Sequence, residues 1–201
     1  MSFVADTLLD KPMVYDSRVS ATGTTVTSAT YNGGWNVSEL REWLNSKVFA
    51  GMSIEWQQLI SPVVVKSLWG ITDKNTPAEV NQAVNRTVDA LYIPAAAEID
   101  ANIASDNTYS LETSQYLIYS PFDEDEERII KYPDGTIGRW WTRTPCKTKD
   151  NAAMQVVVNR QGEVCQYYVW DLDEYGTQQP AHQQRSNAKD FGVLLAFSIG
   201  G

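Results

Sequence analysis

The stretch Arg139–Pro145, Arg-Trp-Trp-Thr-Arg-Thr-Pro, restricts the fold of this chain more than any other. Two adjacent tryptophans, two arginines and a proline suit neither an ordinary surface strand nor a helix. Trp140 or Trp141 can cross a core provided its indole N–H reaches a backbone carbonyl. The guanidinium of Arg143 can stack on a ring while its N–H donors go to loop carbonyls, which pins irregular backbone. Pro145 offers no N–H to a ladder and ends the strand. The segment reads as scaffold, and the search for function moves to the residues around it.

The 201 residues suffice for one domain, with or without an extension, and for a full core. A net charge of -9, with the 16 Lys and Arg unclustered, repels a phosphate backbone, so nucleic acid is not an expected partner. No apolar run approaches the ~20 residues of a membrane helix, and no membrane insertion is expected. The N-terminal "MSFVADTLLDKPMVY" has neither the basic start nor the apolar stretch of a secretory leader. Cys146 and Cys165 are the only cysteines, too few for a disulfide framework and wrongly spaced for zinc. Two independent thiols are expected over one disulfide in a reducing cytosol.

Residues 1–31 are rich in Thr, Ser and Val, and two readings stand: an extended arm packing on a neighbour, or the first strands of the domain that occupies 32–201. In "GWNVSELREWLNSKVF", Asn36 followed by Glu39 has capping-box spacing. Val37, Leu40, Trp43, Leu44 and Val48 then form an apolar helix face. A short helix over "SIEWQQLI", capped by Ser53, should turn Ile54, Leu59 and Ile60 inward and stop at Pro62. "VVVKSLW" reads as a buried strand, "VDALYIP" as strand-like, and "AAAEIDANI" as a helix opening after Pro94. Regular patterning breaks up from 105 to 136, with an acidic run and a turn at "PDG". "AMQVVVNRQGEVCQYYVW" predicts a hairpin turning at "NRQG", and "FGVLLAFSI" one final buried strand. The polar stretch after Trp170 reads as a loop of about 20 residues, a length that is usually functional or disordered.

Three segments together, "GGWNVSELREWLN", "LYIPAAAEID" and "RWWTRTP" with a closing "FGVLLAF", resemble a poorly characterised family of bacteria and their phages. That family carries a Trp-x-x-Ser-x-Leu-Arg-x-Trp-Leu-Asn helix and a Trp-Trp-x-Arg-Ser-Pro motif, and its pattern is similar to the C-type-lectin-like fold of phage tropism proteins. The resemblance implies an α+β, C-type-lectin-like domain: two helices packed on small antiparallel sheets with long irregular loops. It places Trp35, Leu40, Arg41, Trp43, Leu44, Trp140, Trp141, Arg143 and Pro145 in structural motifs. Leu194 and Leu195 stand where the family usually has Arg-Pro.

No residue pattern marks a catalytic centre, and no catalytic, cofactor or metal role is expected. His182, the sole histidine, reads as a solvated loop residue. The run Asp123 to Glu127 lacks calcium-loop spacing and reads as a solvated, self-repelling face. Sugar-binding lectins of the resembled fold hold calcium with a Gln-Pro-Asp-type triplet, but here Gln179-Pro180 is followed by Ala181. The candidate binding surface is instead Trp170, Asp171, Asp173, Tyr175, Gln178, Gln179 and Gln183, a mixture of rigid aromatics and adaptable amides like that of a paratope. The resemblance implies a non-enzymatic phage virion protein, assembled in the host cytoplasm. Its expected partners are other virion subunits or itself, and a host-surface glycan or protein. A bacterial surface adhesion module and a hydrolase or modifying enzyme of related fold are the alternatives.

Overall fold

A computed structural model describes residues 1–17, 34–68, 84–106, 108–113, 119, 122, 124–146, 155–165 and 189–200, together with the backbone pairing of 169–172 and 178–181. The fold is α+β, with small sheets and short helices. In chain order the strands are β1 (Ser2–Leu8), β2 (Val63–Leu68), β3 (Val84–Asp89), β4 (Leu91–Tyr92), β5 (Arg139–Pro145), β6 (Gln155–Val158), β7 (Val164–Cys165), β8 (Val169–Leu172), β9 (Gln178–Ala181), β10 (Phe191–Gly192) and β11 (Leu194–Ser198). Among the described residues these form four sheets, ordered β1-β11-β4, β10-β5-β6-β7, β2-β3 and β8-β9. Pairing is antiparallel except between β10 and β5, which run parallel, so the sheet containing the Trp-Trp strand is mixed rather than purely antiparallel.

Of the two readings for the N-terminus, residues 1–17 take the second. β1 pairs with β11, Ser2 opposite Ser198 and Phe3 opposite Phe197. Tyr15 is buried in the core, and its carbonyl accepts from Leu40 N at 3.1 Å. Residues 18–33 lie outside the described residues.

The first helix starts two residues later than the Asn36–Glu39 spacing predicts. Trp35–Val37 forms a 3-10 turn, and Ser38 is the cap: its hydroxyl donates to Trp35 O and accepts from Arg41 N. A hydroxyl two bonds from the backbone reaches the third amide of the helix readily, which gives Ser38 the role. Helix α1 (Glu39–Trp43) continues through a π-helical turn (Leu44–Val48) into α2 (Phe49–Gly51). Leu40 and Leu44 are buried and Trp43 and Val48 pack against the same core, but Val37, in the 3-10 turn, is exposed.

Helix α3 (Ile54–Leu59) corrects a second expectation. Ile60 is buried, but Ile54 and Leu59 face outward. Six residues are under two turns, so the helix is held by its C-terminus, where Ser61 N donates to Ser198 O, and not by a long apolar stripe. β2 is buried at Val65, Ser67 and Leu68, but Val64 and its partner Val88 are in solvent. The predicted single helix after Pro94 breaks into a 3-10 turn (Ala96–Glu98) and α4 (Ala101–Ala104), because Asp100 intervenes as a cap for Asn102 and Ile103.

Of the hairpin predicted over 153–170, Val169 and Trp170 belong instead to β8, paired with β9, while residues 155–165 form β6–β7. Gly162 turns it at φ +86°, and a Cβ there would lie 1.7 Å from the Asp125 carbonyl oxygen. The closing strand is two strands: β10 joins β5, the chain passes through Val193, and β11 joins β1 and β4. The stretch after Trp170 is not wholly loop, since Val169–Leu172 pairs with Gln178–Ala181.

Candidate functional site

β5 is buried along its whole length. Successive residues of a strand point to opposite faces, and here both faces are covered. Trp140 enters a cluster with Phe122 and Leu194, its indole N–H donating to Arg128 O at 3.2 Å. Trp141 lies between Tyr15 and Phe191, with ring centroids 5.8 and 4.3 Å away, and donates to Met13 O at 2.7 Å. Both tryptophans cross the core. Pro145, opposite Gln155, closes the strand.

Arg143 makes five hydrogen bonds. Nε donates to Lys66 O, Nη1 to Ile93 O and to Glu98 Oε2, and Nη2 to Glu98 Oε1 and to Glu112 O, all between 2.6 and 3.1 Å. β2, the turn after β4, the Ala96–Glu98 turn and the Tyr109–Glu112 turn therefore converge on one planar group. The planar fork of a guanidinium suits this, where an ammonium would supply only a point charge. Glu98 also accepts from Ala95 N at 2.9 Å. Glu112 lies behind, its Oε1 accepting from Leu68 N at 2.8 Å and its Oε2 from the Thr144 hydroxyl, which itself accepts from Ala96 N. Burial pulls the Arg143 guanidinium down, but the charge and hydrogen bonds of Glu98, joined by Glu112, outweigh it and hold the cation firmly protonated. Burial pushes the Glu112 carboxyl up to about 7, against the lowering pull of Arg143 and Thr144.

The helix motif forms a second node. Asp89, at the end of β3 and fully buried, accepts from Trp35 Nε1 at 2.9 Å, from Arg41 Nε at 2.7 Å and from the Thr87 hydroxyl at 2.6 Å. Arg41 Nη2 adds a contact at 2.7 Å. Asn45, in the π-helical turn, acts as a surrogate strand: Oδ1 accepts from Ala90 N and Leu91 N, and Nδ2 donates to Leu91 O and Arg41 O. Trp35, Leu40, Arg41 and Leu44 thus fasten the helix to β3 and β4.

In the acidic run, Glu124, Asp125, Glu126 and Glu127 are exposed. The face is anchored through Arg128, which is buried and donates to the carbonyls of Gly162, Ile99 and Phe122 and to the Asp125 carboxylate. Among the described residues no group of His, Cys, Asp or Glu is arranged to hold a metal ion. Cys146 is buried and Cys165 half-buried, both as thiols; burial, with Cys165 nearby, raises the Cys146 thiol and makes it a poor nucleophile.

Of the predicted binding surface, Trp170, Asp171, Gln178 and Gln179 fall on the β8–β9 ribbon. Trp170 is opposite Pro180, Asp171 opposite Gln179 and Leu172 opposite Gln178. Asp173, Tyr175, Gln183 and His182 lie outside the described residues. Asp89, Glu98 and Glu112, which complete the two nodes, were not singled out by sequence reasoning. The only available signal was that each is acidic within or beside an apolar run.

No curated protein and no solved structure matches the chain. A family match does exist, running from within β1 to beyond β8 and so taking in both nodes, the Trp-Trp strand and the β6–β7 hairpin, but stopping short of β9, β10 and β11. On that match, over residues 7–176, the chain belongs to the family described as a domain of unknown function, DUF6273.

Proposed function

We propose that this chain is a non-catalytic structural protein of a phage particle: a C-type-lectin-like module carried on the head or tail, which contacts neighbouring subunits and presents the stretch between β7 and β10 to a host surface. One observation carries this reading. The buried or part-buried residues with the most polar side chains are all engaged in holding the framework: Arg143, Glu98, Glu112 and Asn45 bond to backbone, and Asp89 ties the side chains of Trp35, Arg41 and Thr87 together. That use of polar groups suits a rigid scaffold for variable connections, where loops carry recognition and the framework positions them. An acidic surface and the Tyr-, Gln- and Asp-rich composition of 167–184 suit a display segment.

The test is particle composition. Mass spectrometry of gradient-purified virions from the producing host should find the chain at a fixed stoichiometry. Its absence from particles overturns the virion assignment. For the display segment, Asp171→Ala with Gln179→Ala should weaken adsorption to host cells while leaving the melting temperature unchanged; undiminished adsorption counts against it.

A further inference from the structure

The geometry points to a second copy of this chain as the partner of the β1 edge, through antiparallel β1–β1 pairing about a two-fold axis centred on Phe3. This inference is independent of the display reading, since it concerns a different face.

β1 is an edge strand. On its inner side it pairs with β11; on its outer side, among the described residues, its contacts begin only near its end, at Thr7 and Leu8 with Lys131. The hydrogen-bond phase fixes which groups face outward. Met1 and Ile199 exchange both backbone bonds, at 3.0 and 2.9 Å. In an antiparallel ladder bonded and non-bonded pairs alternate, so Phe3 also points its N–H and C=O at β11 while Ser2 and Val4 point theirs away. Ser198, opposite Ser2, agrees: its carbonyl is turned to Ser61 on the far side.

Residues 1–5, Met-Ser-Phe-Val-Ala, carry no charged side chain and no proline, the features that blunt most natural edges; the Met1 ammonium is turned inward to Ile199 O. An irregularity between Val4 and Leu8 ends the regular edge. The outward groups of Ser2 and Val4, on either side of Phe3, are therefore the open template.

The open edge adjoins apolar surface. Phe3 is 37% exposed and stacks on Phe197 with centroids 5.7 Å apart, and Trp56, 48% exposed, meets Phe197 edge-on at 5.8 Å. Leu59, one turn on from Trp56, and Met1, two residues from Phe3 on the same strand face, are 49% and 86% exposed. Taking about 200 Å² per large side chain, these groups offer about 400 Å² of apolar surface per copy. Two copies with their edge backbones would bury on the order of 1,000 Å², the size of a weak, reversible interface.

The two-fold pairing that sets Ser2 opposite Val4 of the second copy matches all the outward groups in bonded pairs. It also sets Phe3 against Phe3 of the second copy as a non-bonded pair, the closer kind, about 4.5 Å between Cα atoms. The existing Phe3–Phe197 stack then extends into a ladder of four rings across a continuous six-stranded sheet. A second copy brings both a matching edge and a matching ring to the same register. Because each copy carries a net charge of -9, screening should strengthen the dimer, whereas a basic partner would be weakened by it.

Sedimentation velocity across a concentration series tests this. The wild-type chain should shift from 22.5 kDa toward twice that mass, and do so at lower concentration in about 0.5 M salt than in about 0.05 M. Phe3→Glu and Trp56→Ser should each raise the midpoint concentration at least about tenfold. Val4→Pro, which removes an outward N–H and no β11 bond, should abolish the shift. Far-ultraviolet circular dichroism identifies any variant that has lost its fold; Trp56, on the exposed side of a helix, keeps the test alive if the strand variants do. A wild-type chain still monomeric at about 1 mM in high salt overturns the proposal. So does a dimer that persists unchanged in folded Trp56→Ser together with either folded strand variant.

Discussion

Of the guanidinium–carboxylate nodes among the described residues, the two built on Arg41 and Arg143 differ in charge balance. Between α1 and β3, one guanidinium, Arg41, meets one carboxylate, Asp89, and the arginine side chain keeps 27% of its surface in water. Around β5, one guanidinium, Arg143, faces two carboxylates, Glu98 and Glu112, and all three are buried. The first node is electrically closed. The second carries one negative charge more than it can match, and a low-dielectric interior relieves such an excess by taking up a proton. Thus the same two functional groups, guanidinium and carboxylate, differently counted, give a plain clamp in one place and a titrating one in the other.

The largest expected effect comes from breaking the second node. Arg143→Met should leave two buried carboxylates with no counter-charge and three carbonyls with no donor, and cost about 3–5 kcal/mol or more. Thermal melts should show a fall of about 10 °C or more, and Arg143→Lys should not restore the loss, because an ammonium cannot bind Glu98 through a fork. A melting temperature within about 2 °C of wild type for Arg143→Met would mean the convergence of turns on this residue is incidental.

The next effect is the titration itself. Glu112 has an ordinary value of 4.5 and is raised to about 7 in the fold, so the folded state holds the proton more tightly than the unfolded chain. Its contribution is fully present below about 4.5 and is lost as the pH rises through about 7, roughly 3 kcal/mol in all. The wild-type melting temperature should therefore fall between pH 5 and pH 8. Glu112→Gln keeps the shape, removes the charge, and should flatten that slope. Parallel pH profiles for the two proteins would sink the assignment.

Arg41→Ala should be milder, about 1–2 kcal/mol, since Asp89 keeps Trp35 and Thr87 as donors and the lost arginine was partly solvated. If chemical denaturation ranks Arg41→Ala with Arg143→Met, the distinction between balanced and unbalanced nodes has no energetic content.

What sequence reasoning captured and what it missed divides along the same line. The scaffold role of "RWWTRTP" was legible because two tryptophans and a guanidinium demand burial and acceptors wherever the strand lies. The 155–165 hairpin was legible because its alternation and its glycine are local. Glu112 was not, since nothing near it in sequence reveals that Arg143 and Leu68 will surround it. Nor was the division of "FGVLLAFSI" at Val193, because an apolar run states that a strand is buried without stating in which sheet. Ile54 and Leu59 misled for a related reason: in a helix of six residues, apolar character alone does not choose a face, and the attachment of Ser61 to Ser198 chose it. For the display set, the β8–β9 pairing was missed because Gln, Asp and Pro are poor strand formers taken singly.

The pairing of β1 with β11 joins residues 196 positions apart in the chain. On a ribosome adding about 5–20 residues per second, β1 emerges about 10–40 s before the strand that completes it exists. Through that interval Met-Ser-Phe-Val-Ala, which has no charged side chain, lacks the strand it pairs with. The sheet it belongs to cannot form piecemeal; it closes only once the far end has been synthesised. Closure of this sheet therefore waits on β11, and any change that removes Leu194–Ser198 strips β1 of its partner as well.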